Sequence, residues 1–350
     1  MLVLPAVLLV CFGLAGIWSS CVAKADFLNL VKQIIFFIFG FLIMIGISFF
    51  DYRILRNSSF LIVVLYMCCL LLLLGLYFFA PLTRGTRGWY KLGLLSLDPI
   101  EPTKIVLIIL LAKYFSMRHV EMYKFRHIIF SGSYVFFPAL LVFLKPDLGG
   151  TMVLVLAWLG ILLVSGIKIN HFLILVVAFL IVASLGWFFV LKDYQRSRIT
   201  SFIFPYDYLG ASWSQNQTKI SIGSGLILGQ GLGNGSQVQF GFLPEPHTDF
   251  IFSVLAQEWG LVGILVLFFV YGFLVWRVLK IAIQAETNFP RLFAIGFAVV
   301  LISQFFINIG MNLSLLPVVG IYLPFISYGG SGLIGNFIAL GILQSITTRG

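Results

Sequence analysis

The sequence predicts an all-α polytopic integral membrane protein with about ten transmembrane helices. Two observations lead to this fold class. Of the 350 residues, 61% are hydrophobic and only 10% are charged, whereas a soluble domain carries about 25% charged residues. The apolar residues also form long runs, and a helix needs roughly 20 such residues to cross a hydrocarbon core. No repeat period is visible, so we expect one membrane domain, residues 1–350.

Ten apolar runs are the expected spans. Their ranges are 1–20, 31–50, 60–80, 102–116, 129–144, 149–166, 170–190, 250–280, 291–314 and 326–346. The first run has no basic leader, so it is expected to be a retained helix and not a cleaved signal peptide. An even number of spans places both termini on one side. The Lys and Arg residues of the short loops favour the inner side for them.

Composition also bears on ligands. The four cysteines (Cys11, Cys21, Cys68 and Cys69) lie in or beside apolar runs, and no Cys or His spacing is typical of a metal site. We therefore expect buried thiols. The net charge of +10 favours anionic lipid or an anionic substrate as the partner and not nucleic acid, for which no aromatic and basic module is present.

The longest polar interval, 192–249, is expected to form one large extracytoplasmic loop between helices 7 and 8. It holds seven glycines between Gly223 and Gly241, which allow turns that other residues resist. At its end Glu245, His247 and Asp249 bring three titratable side chains into five residues, so we expect chemistry here. Asp249 also has a purely structural interpretation, as the N-cap of the following helix.

A second polar loop precedes the fourth span. Arg84, Arg87 and Lys91 surround Trp89 on the outer side. Such a cluster is suited to hold phosphate, or it is an interfacial loop with solvated charges. Just beyond it, Glu101 and Lys104 lie three residues apart and share one helix face, as an ion pair or as functional groups within a span.

Two further segments break the apolar pattern. Asp147, in the turn between the fifth and sixth spans, either caps the sixth helix or faces the outer side with the other acidic residues. Between the last two spans, Pro317, Pro324 and the Gly329–Gly330 pair predict broken helix that lines a cavity, with Ser327 inside it. Asn308 and Asn312 on the ninth span could face the same interior or hold helices together.

Four stretches together resemble one family: PDLGGT, IGSGLILGQGLGNGSQ, FLPEPHTDFIFSVLAQEWG and PVVGIYLPFISYGGSG. They resemble the SEDS proteins (shape, elongation, division and sporulation), and are most similar to the elongation branch. The chain departs from the family pattern at Gly88, Ile100, Lys145 and Gly150, and reads WSQNQT, which contains Gln217, where YQ-x-x-QS is usual.

The resemblance implies a peptidoglycan glycosyltransferase in the bacterial cytoplasmic (inner) membrane. It would polymerise lipid II, a polyprenyl-pyrophosphate disaccharide-peptide, at an active site on the extracytoplasmic side. The implied partners are a class B penicillin-binding protein transpeptidase and other membrane proteins of the elongation complex. Phe-rich stretches, 264–273 and 289–306, are expected to dock the partner's transmembrane helix.

The resemblance also implies residue roles. The family's essential aspartate carries over to Asp249, which we expect to act as general base in one inverting displacement. The residues expected to contact substrate are Arg84, Arg87, Trp89, Lys91, Glu101, Lys104, Asp147, Gln217, Glu245, His247 and Ser327. No cofactor is assigned, although a divalent cation, Mg or Mn, could assist. The competing hypothesis is a flippase for the same lipid. Transporters place ionisable residues near the midplane, whereas the spans of this chain are nearly free of charge, with Glu258 as the clearest exception.

Overall fold

The computed structural model describes residues 2–81, 88–93, 95–118, 125–189, 193–204 and 213–349. Helices form most of it. In chain order they are α1 (Val3–Lys24), α2 (Leu28–Phe49), α3 (Arg53–Asn57), α4 (Ser59–Phe79), α5 (Ile100–Ser116), α6 (Phe125–Leu144), α7 (Leu148–Val164), α8 (Ile169–Phe189), α9 (Asp193–Ile203), α10 (Trp213–Ser224), α11 (Ser236–Gln239), α12 (Ile251–Gln284), α13 (Asn288–Asn312) and α14 (Gly330–Arg349). A short antiparallel hairpin, β1 (Tyr90–Leu92) and β2 (Leu95–Leu97), precedes α5.

Within the described residues, seven helices are long and apolar enough to cross a membrane: α1, α2, α4, α6, α12, α13 and α14. The polytopic helical class is therefore confirmed. Helices α5, α7 and α8 coincide with the other three predicted spans, but α5 and α7 have only 17 residues each. The count of ten spans and the single domain over 1–350 stay predictions. We call the side on which α5, α12 and α14 begin the loop side.

Helix α13 lies at the centre of the bundle, in contact with α5, α7 and α12. Its phenylalanines Phe289, Phe293 and Phe297 are at most 1% exposed. The expectation that 289–306 forms a docking surface is therefore wrong, except at its end, where Phe306 is exposed. The physical reason is that a helix apolar on all sides belongs in a core, and sequence alone does not distinguish core from lipid.

Helix α12 is broken at Gly260, where φ is 63° and ψ is −164°. The backbone groups released by this break bond to an earlier segment of the chain, residues 226–231. The N–H groups of Leu261 and Val262 donate to the carbonyl oxygens of Leu226 and Ile227, at 2.9 and 3.1 Å. In the other direction, the N–H of Gln230 and that of Gly231 donate to the carbonyls of Gln257 and Glu258.

The Gly-rich part of the long polar interval is therefore packed along the first turns of α12. Gly260 follows Ile251 by nine residues, which at about 1.5 Å per residue places the contact roughly 13 Å along the helix. Glycine is required here, because a Cβ at Gly229 would lie 2.1 Å from the carbonyl oxygen of Glu258. The described residues of 192–249 thus form α9, α10, α11 and this packed segment, and the large extracytoplasmic loop stays a prediction.

Residues 313–329 run from α13 to α14 without regular helix, as their prolines and glycines predict. We call this stretch the α13–α14 segment. Gln33 of α2 holds its end: the side-chain amide donates to the carbonyl of Ser327 at 3.3 Å and accepts from the N–H of Gly329 at 3.2 Å. The segment lies across the loop side of the bundle, between α2 and the start of α12.

Candidate active site

Asp249 lies in a tight turn immediately before α12. The N–H groups of Thr248 and Phe250 both donate to the carbonyl of Glu245, at 3.3 and 3.4 Å. The N-cap position of α12 belongs to Phe250 and carries no side-chain cap. The interpretation of Asp249 as the N-cap is therefore wrong: the residue lies one position before the N-cap, and its side chain is half-buried.

Three polar side chains hold the backbone of this turn. Asn308 and Asn312, both 0% exposed, donate from Nδ2 to the carbonyl oxygen of Asp249 at 3.1 and 3.0 Å. Ser327 donates from Oγ to the carbonyl oxygen of Thr248 at 2.7 Å. These hydrogen bonds go to main-chain carbonyl oxygens of the turn. They therefore fix the position of Asp249 without involving its side chain.

Space beside the carboxylate is provided by Gly320, whose φ is +72°. A Cβ at this glycine would lie 3.7 Å from Oδ2 of Asp249. The α13–α14 segment therefore passes directly beside the carboxylate with its least bulky residue.

A buried ion pair forms at the start of α5. Nζ of Lys104 lies 2.8 Å from Oε2 of Glu101, and each side chain is under 10% exposed. Tyr322 of the α13–α14 segment completes the group: its hydroxyl donates to Oε2 of Glu101 at 2.5 Å and accepts from Nζ of Lys104 at 3.2 Å. The predicted pair is thus present, and it is joined to a different element by a phenol.

A second charged group lies beside this ion pair. Lys145 is 4% exposed, and its Nζ lies 3.7 Å from Asp98 and 3.9 Å from Asp147. Asp147 caps α7 by accepting from the N–H of Gly150 at 2.7 Å, so its capping interpretation is confirmed. Burial raises the pKa of Asp98 to about 6; the negative charges of Glu101 and Asp147 add to this, while Lys145 opposes it.

The other candidates in the HTD region serve partly as scaffold. Glu245 supplies the carbonyl that closes the turn, and its φ is +41°. His247 is 8% exposed, and its carbonyl accepts from the N–H of Tyr328 at 2.8 Å. Ser327 is 3% exposed, and its hydroxyl both donates to Thr248 and accepts from the N–H of Leu323 at 2.8 Å. Substrate contact by these three residues stays a prediction.

The remaining candidates lie further from the turn in the chain. Gln217 is half-buried on α10, but Gln215 is the residue of that helix that bonds to the α13–α14 segment, at the carbonyl of Leu316. Trp89 and Lys91 are exposed at the hairpin, which Tyr90 fastens to α4 by donating to the carbonyl of Leu72. Arg84 and Arg87 lie outside the described residues.

Tyr322 is the residue that the sequence reasoning missed. It lies in an apolar stretch, IYLPF, where an aromatic residue predicts packing. The available signal was its hydroxyl, because a buried Tyr O–H normally finds a polar partner. Across the part of the chain that the structure describes, no cluster of three or more His, Cys, Asp or Glu side chains could hold a metal, so the divalent cation stays an expectation.

The fold and the site define a class: a polytopic membrane protein with a fixed carboxylate and a buried ion pair on one side of its bundle. The chain belongs to the cell cycle protein family of FtsW, RodA and SpoVE, whose family model matches residues 1–350. The family expected from the four motifs is thereby confirmed.

Individual proteins that are similar to this chain support the same family. The peptidoglycan glycosyltransferase MrdB of Escherichia coli (strain K12) is 42% identical over 275 residues, which cover 77% of this chain and 73% of MrdB. One chain of a peptidoglycan synthase complex, solved in work on how polymerization and crosslinking are coordinated, is 30% identical with a TM-score of 0.84, over 99% of this chain and 97% of that one. The crystal structure of the rod shape determining protein RodA of Thermus thermophilus is 28% identical with a TM-score of 0.72, over 99% and 96%.

Proposed function

We propose that Asp249 is the general base of a peptidoglycan glycosyltransferase that polymerises lipid II into glycan strands during cell-wall elongation. The observation that carries this proposal is the turn 246–250. Its main chain is fixed by Asn308, Asn312 and Ser327, and the carboxylate is directed beside Gly320. A carboxylate carried on a rigid backbone is the arrangement that proton transfer to or from a bound substrate requires.

The proposed reaction is a single displacement at the anomeric carbon of the donor sugar. A hydroxyl oxygen of the acceptor sugar attacks the anomeric carbon of the donor, and its proton passes to the Asp249 carboxylate. The bond between that carbon and the pyrophosphate oxygen breaks, and the lipid pyrophosphate leaves with the electron pair. The configuration at the anomeric carbon inverts. Because pyrophosphate is a good leaving group, no strong general acid is required.

Lys104 supplies positive charge for the leaving group. An ammonium has three N–H donors, of which one faces Glu101 and one faces Tyr322. We assign the third donor to a phosphate oxygen of the bound lipid, because a charge that is held in place before the reaction stabilises developing negative charge without reorganisation. Lys91, exposed at the hairpin, is proposed as a further basic group for the pyrophosphate. Arg84 and Arg87, expected to share this task, lie outside the described residues.

Relatives support the activity and the partner. MrdB is named a peptidoglycan glycosyltransferase, and the similar chain of known structure is part of a peptidoglycan synthase complex that couples polymerization to crosslinking. The corresponding partner of this chain is a class B penicillin-binding protein transpeptidase. The chain then spans the bacterial cytoplasmic membrane many times, with its loop side facing outward, where Mg or Mn could assist the pyrophosphate.

The alternative is a flippase for the same lipid. Its best support is Glu258, a buried carboxylate within a broken membrane helix. Ser19 of α1 donates to this carboxylate, however, and the peptide groups of Gly233 and Gly235 also interact with it. Glu258 therefore binds the Gly-rich segment to α1 and α12, which is a structural task that needs no transport.

One experiment separates the two functions. Purified protein is incubated in detergent with lipid II, with and without the class B partner, and glycan strands are separated by gel electrophoresis. A polymerase makes strands in detergent, where no second leaflet exists. A protein that binds lipid II and makes no strand under either condition would contradict the proposal.

A further inference from the structure

Tyr322 contacts both members of the ion pair at once. A hydroxyl is both donor and acceptor, and this one donates to Glu101 while it accepts from Lys104. The ammonium of Lys104 lies 5.0 Å from the centre of the Tyr322 ring, a distance that follows from its hydrogen bond to the hydroxyl at the ring edge. The phenol therefore restrains Lys104 through its hydroxyl oxygen.

The backbone on either side of Tyr322 is held by the same side chains that hold the Asp249 turn. Asn308 donates to the carbonyl oxygens of both Ile321 and Asp249, at 2.7 and 3.1 Å. Ser327 accepts from the N–H of Leu323 and donates to the carbonyl of Thr248. Residues 321 and 323 are thus bound to the turn, and Tyr322 lies between them.

The two contacts of Lys104 orient it relative to different elements. Glu101 and Lys104 both belong to α5, so their ion pair orients Lys104 only relative to its own helix. A lysine side chain is long and flexible, with a four-carbon stem. A contact that connects Lys104 to the elements carrying Asp249 must come from outside α5, and the hydroxyl of Tyr322 is such a contact.

We propose that Tyr322 is a positioning residue, which sets the Lys104 ammonium relative to the Asp249 carboxylate. The inference rests on the proposed function, in which Asp249 acts at the attacking oxygen and Lys104 at the leaving pyrophosphate. Tyr322 does not touch the reacting atoms. It fixes the distance between the two groups that do.

Tyr322→Phe tests the proposal, because it removes the one hydroxyl and keeps the ring. The matched control is Tyr328→Phe in the same segment; in the described part of the chain the Tyr328 hydroxyl makes no hydrogen bond. Rates of strand formation are measured as a function of lipid II concentration. We expect kcat to fall about 10- to 100-fold in Tyr322→Phe, as for a modest misplacement of a reacting group. KM should change less than about threefold, and the control should retain wild-type rates.

A double-mutant cycle with Lys104→Met distinguishes positioning from general support of the fold. If Tyr322 acts through Lys104, adding Tyr322→Phe to Lys104→Met changes the residual single-turnover rate little. If Tyr322 merely stabilises the bundle, the two losses multiply, as they do for independent sites, and the proposal is overturned. A full rate in Tyr322→Phe overturns it as well. Failure of the proposed function is seen separately, as absence of strands in wild type and in Tyr328→Phe.

Discussion

Asn308 donates a hydrogen bond to the main-chain oxygen of Asp249 across 59 residues of sequence, at 3.1 Å. The same amide reaches Ile321. One buried side chain at the end of α13 therefore connects the turn before α12 with the segment before α14. This connection explains why the carboxylate can have a fixed position although no regular helix contains it.

Asp249→Asn should abolish polymerisation and leave the fold intact. The bonds that hold the turn go to main-chain oxygens, which the substitution keeps, whereas the basic carboxylate is lost. We expect strand formation to fall at least about 100-fold, with lipid II binding and thermal stability near those of wild type. Strand formation by a stable Asp249→Asn protein would falsify the catalytic assignment and direct attention to Glu245.

Glu101→Gln should destabilise the protein. It leaves the buried ammonium of Lys104 without its carboxylate, and loss of one partner of a buried pair costs about 3–5 kcal/mol. Thermal unfolding in detergent gives the effect. The control is Asp51→Asn, since Asp51 pairs with Arg349 at 4.0 Å and both side chains are over a third exposed; exposed pairs contribute about 0–1 kcal/mol. Equal small effects in the two variants would mean that the Glu101–Lys104 pair contributes little to the stability of the fold.

The pH dependence of stability should include a contribution from Asp98. The pKa of this group is raised from 3.8 to about 6 in the folded protein. The folded state therefore takes up a proton between about pH 6 and pH 4 that the unfolded state does not, and this contribution increases stability as the pH falls. Asp98→Asn removes the titrating group and keeps an acceptor for the N–H of Ile100.

The measurement is the unfolding temperature of wild type and Asp98→Asn at pH 7.5 and pH 5. Wild type should gain stability relative to the variant on acidification, because titrations of other groups cancel in the difference. A difference that is the same at both pH values would show that Asp98 titrates normally.

Gly260→Ala should severely destabilise α12. The glycine has φ +63°, and a Cβ there would lie 2.4 Å from the nitrogen of Gly229 and 2.5 Å from the carbonyl oxygen of Ile227. The left-handed backbone alone costs an alanine about 1–2 kcal/mol, and displacement of the Gly-rich segment adds to that. Gly272→Ala in the same helix is the control: nothing lies within 4 Å of its added Cβ, and an alanine in a helix interior should stabilise by up to about 1 kcal/mol. Similar unfolding temperatures for the two variants would contradict the role of the break.

The exposed face of α12 should bind the partner's transmembrane helix. Leu265 and Phe269 are 57% and 74% exposed, and association within lipid depends on packing at such a face. Leu265→Gln with Phe269→Asn should lower co-purification with the class B transpeptidase several-fold and leave lipid II polymerisation by the isolated protein unchanged. Phe179→Asn on α8, which is 60% exposed in wild type, is the control for a polar group facing lipid. Undiminished co-purification would place the interface on another face.

The sequence predicted correctly those features that depend only on neighbouring residues in the chain. The predicted spans agree with the helices to within a few residues at most ends, because membrane crossing depends on the length of an apolar run. Asn308 and Asn312 were expected to face an interior or to hold helices together, since polar groups in a span need partners, and both bond to the Asp249 carbonyl. The role of Asp147 was left open; the hydrogen bond from the N–H of Gly150 shows that it caps α7, and substrate contact by Asp147 stays a prediction.

What could not be predicted depends on contacts between distant segments. Gly260 lies in an apolar run and gives no sign of a break, because the groups that complete it come from residues 226–231. Phe293 looks the same in sequence whether it faces lipid or the core. Tyr322 acquires its meaning only when α5 and the α13–α14 segment are adjacent.

The break in α12 has a consequence for biosynthesis. A bilayer does not accept unpaired backbone groups, so α12 is not a self-sufficient unit for insertion. The residues that complete it, Leu226 to Gly231, leave the ribosome before α12 does. The backbone groups that bond to the break are therefore synthesised before α12 inserts. In a circularly permuted chain with the opposite order, the backbone groups at the break should lack their partners during insertion.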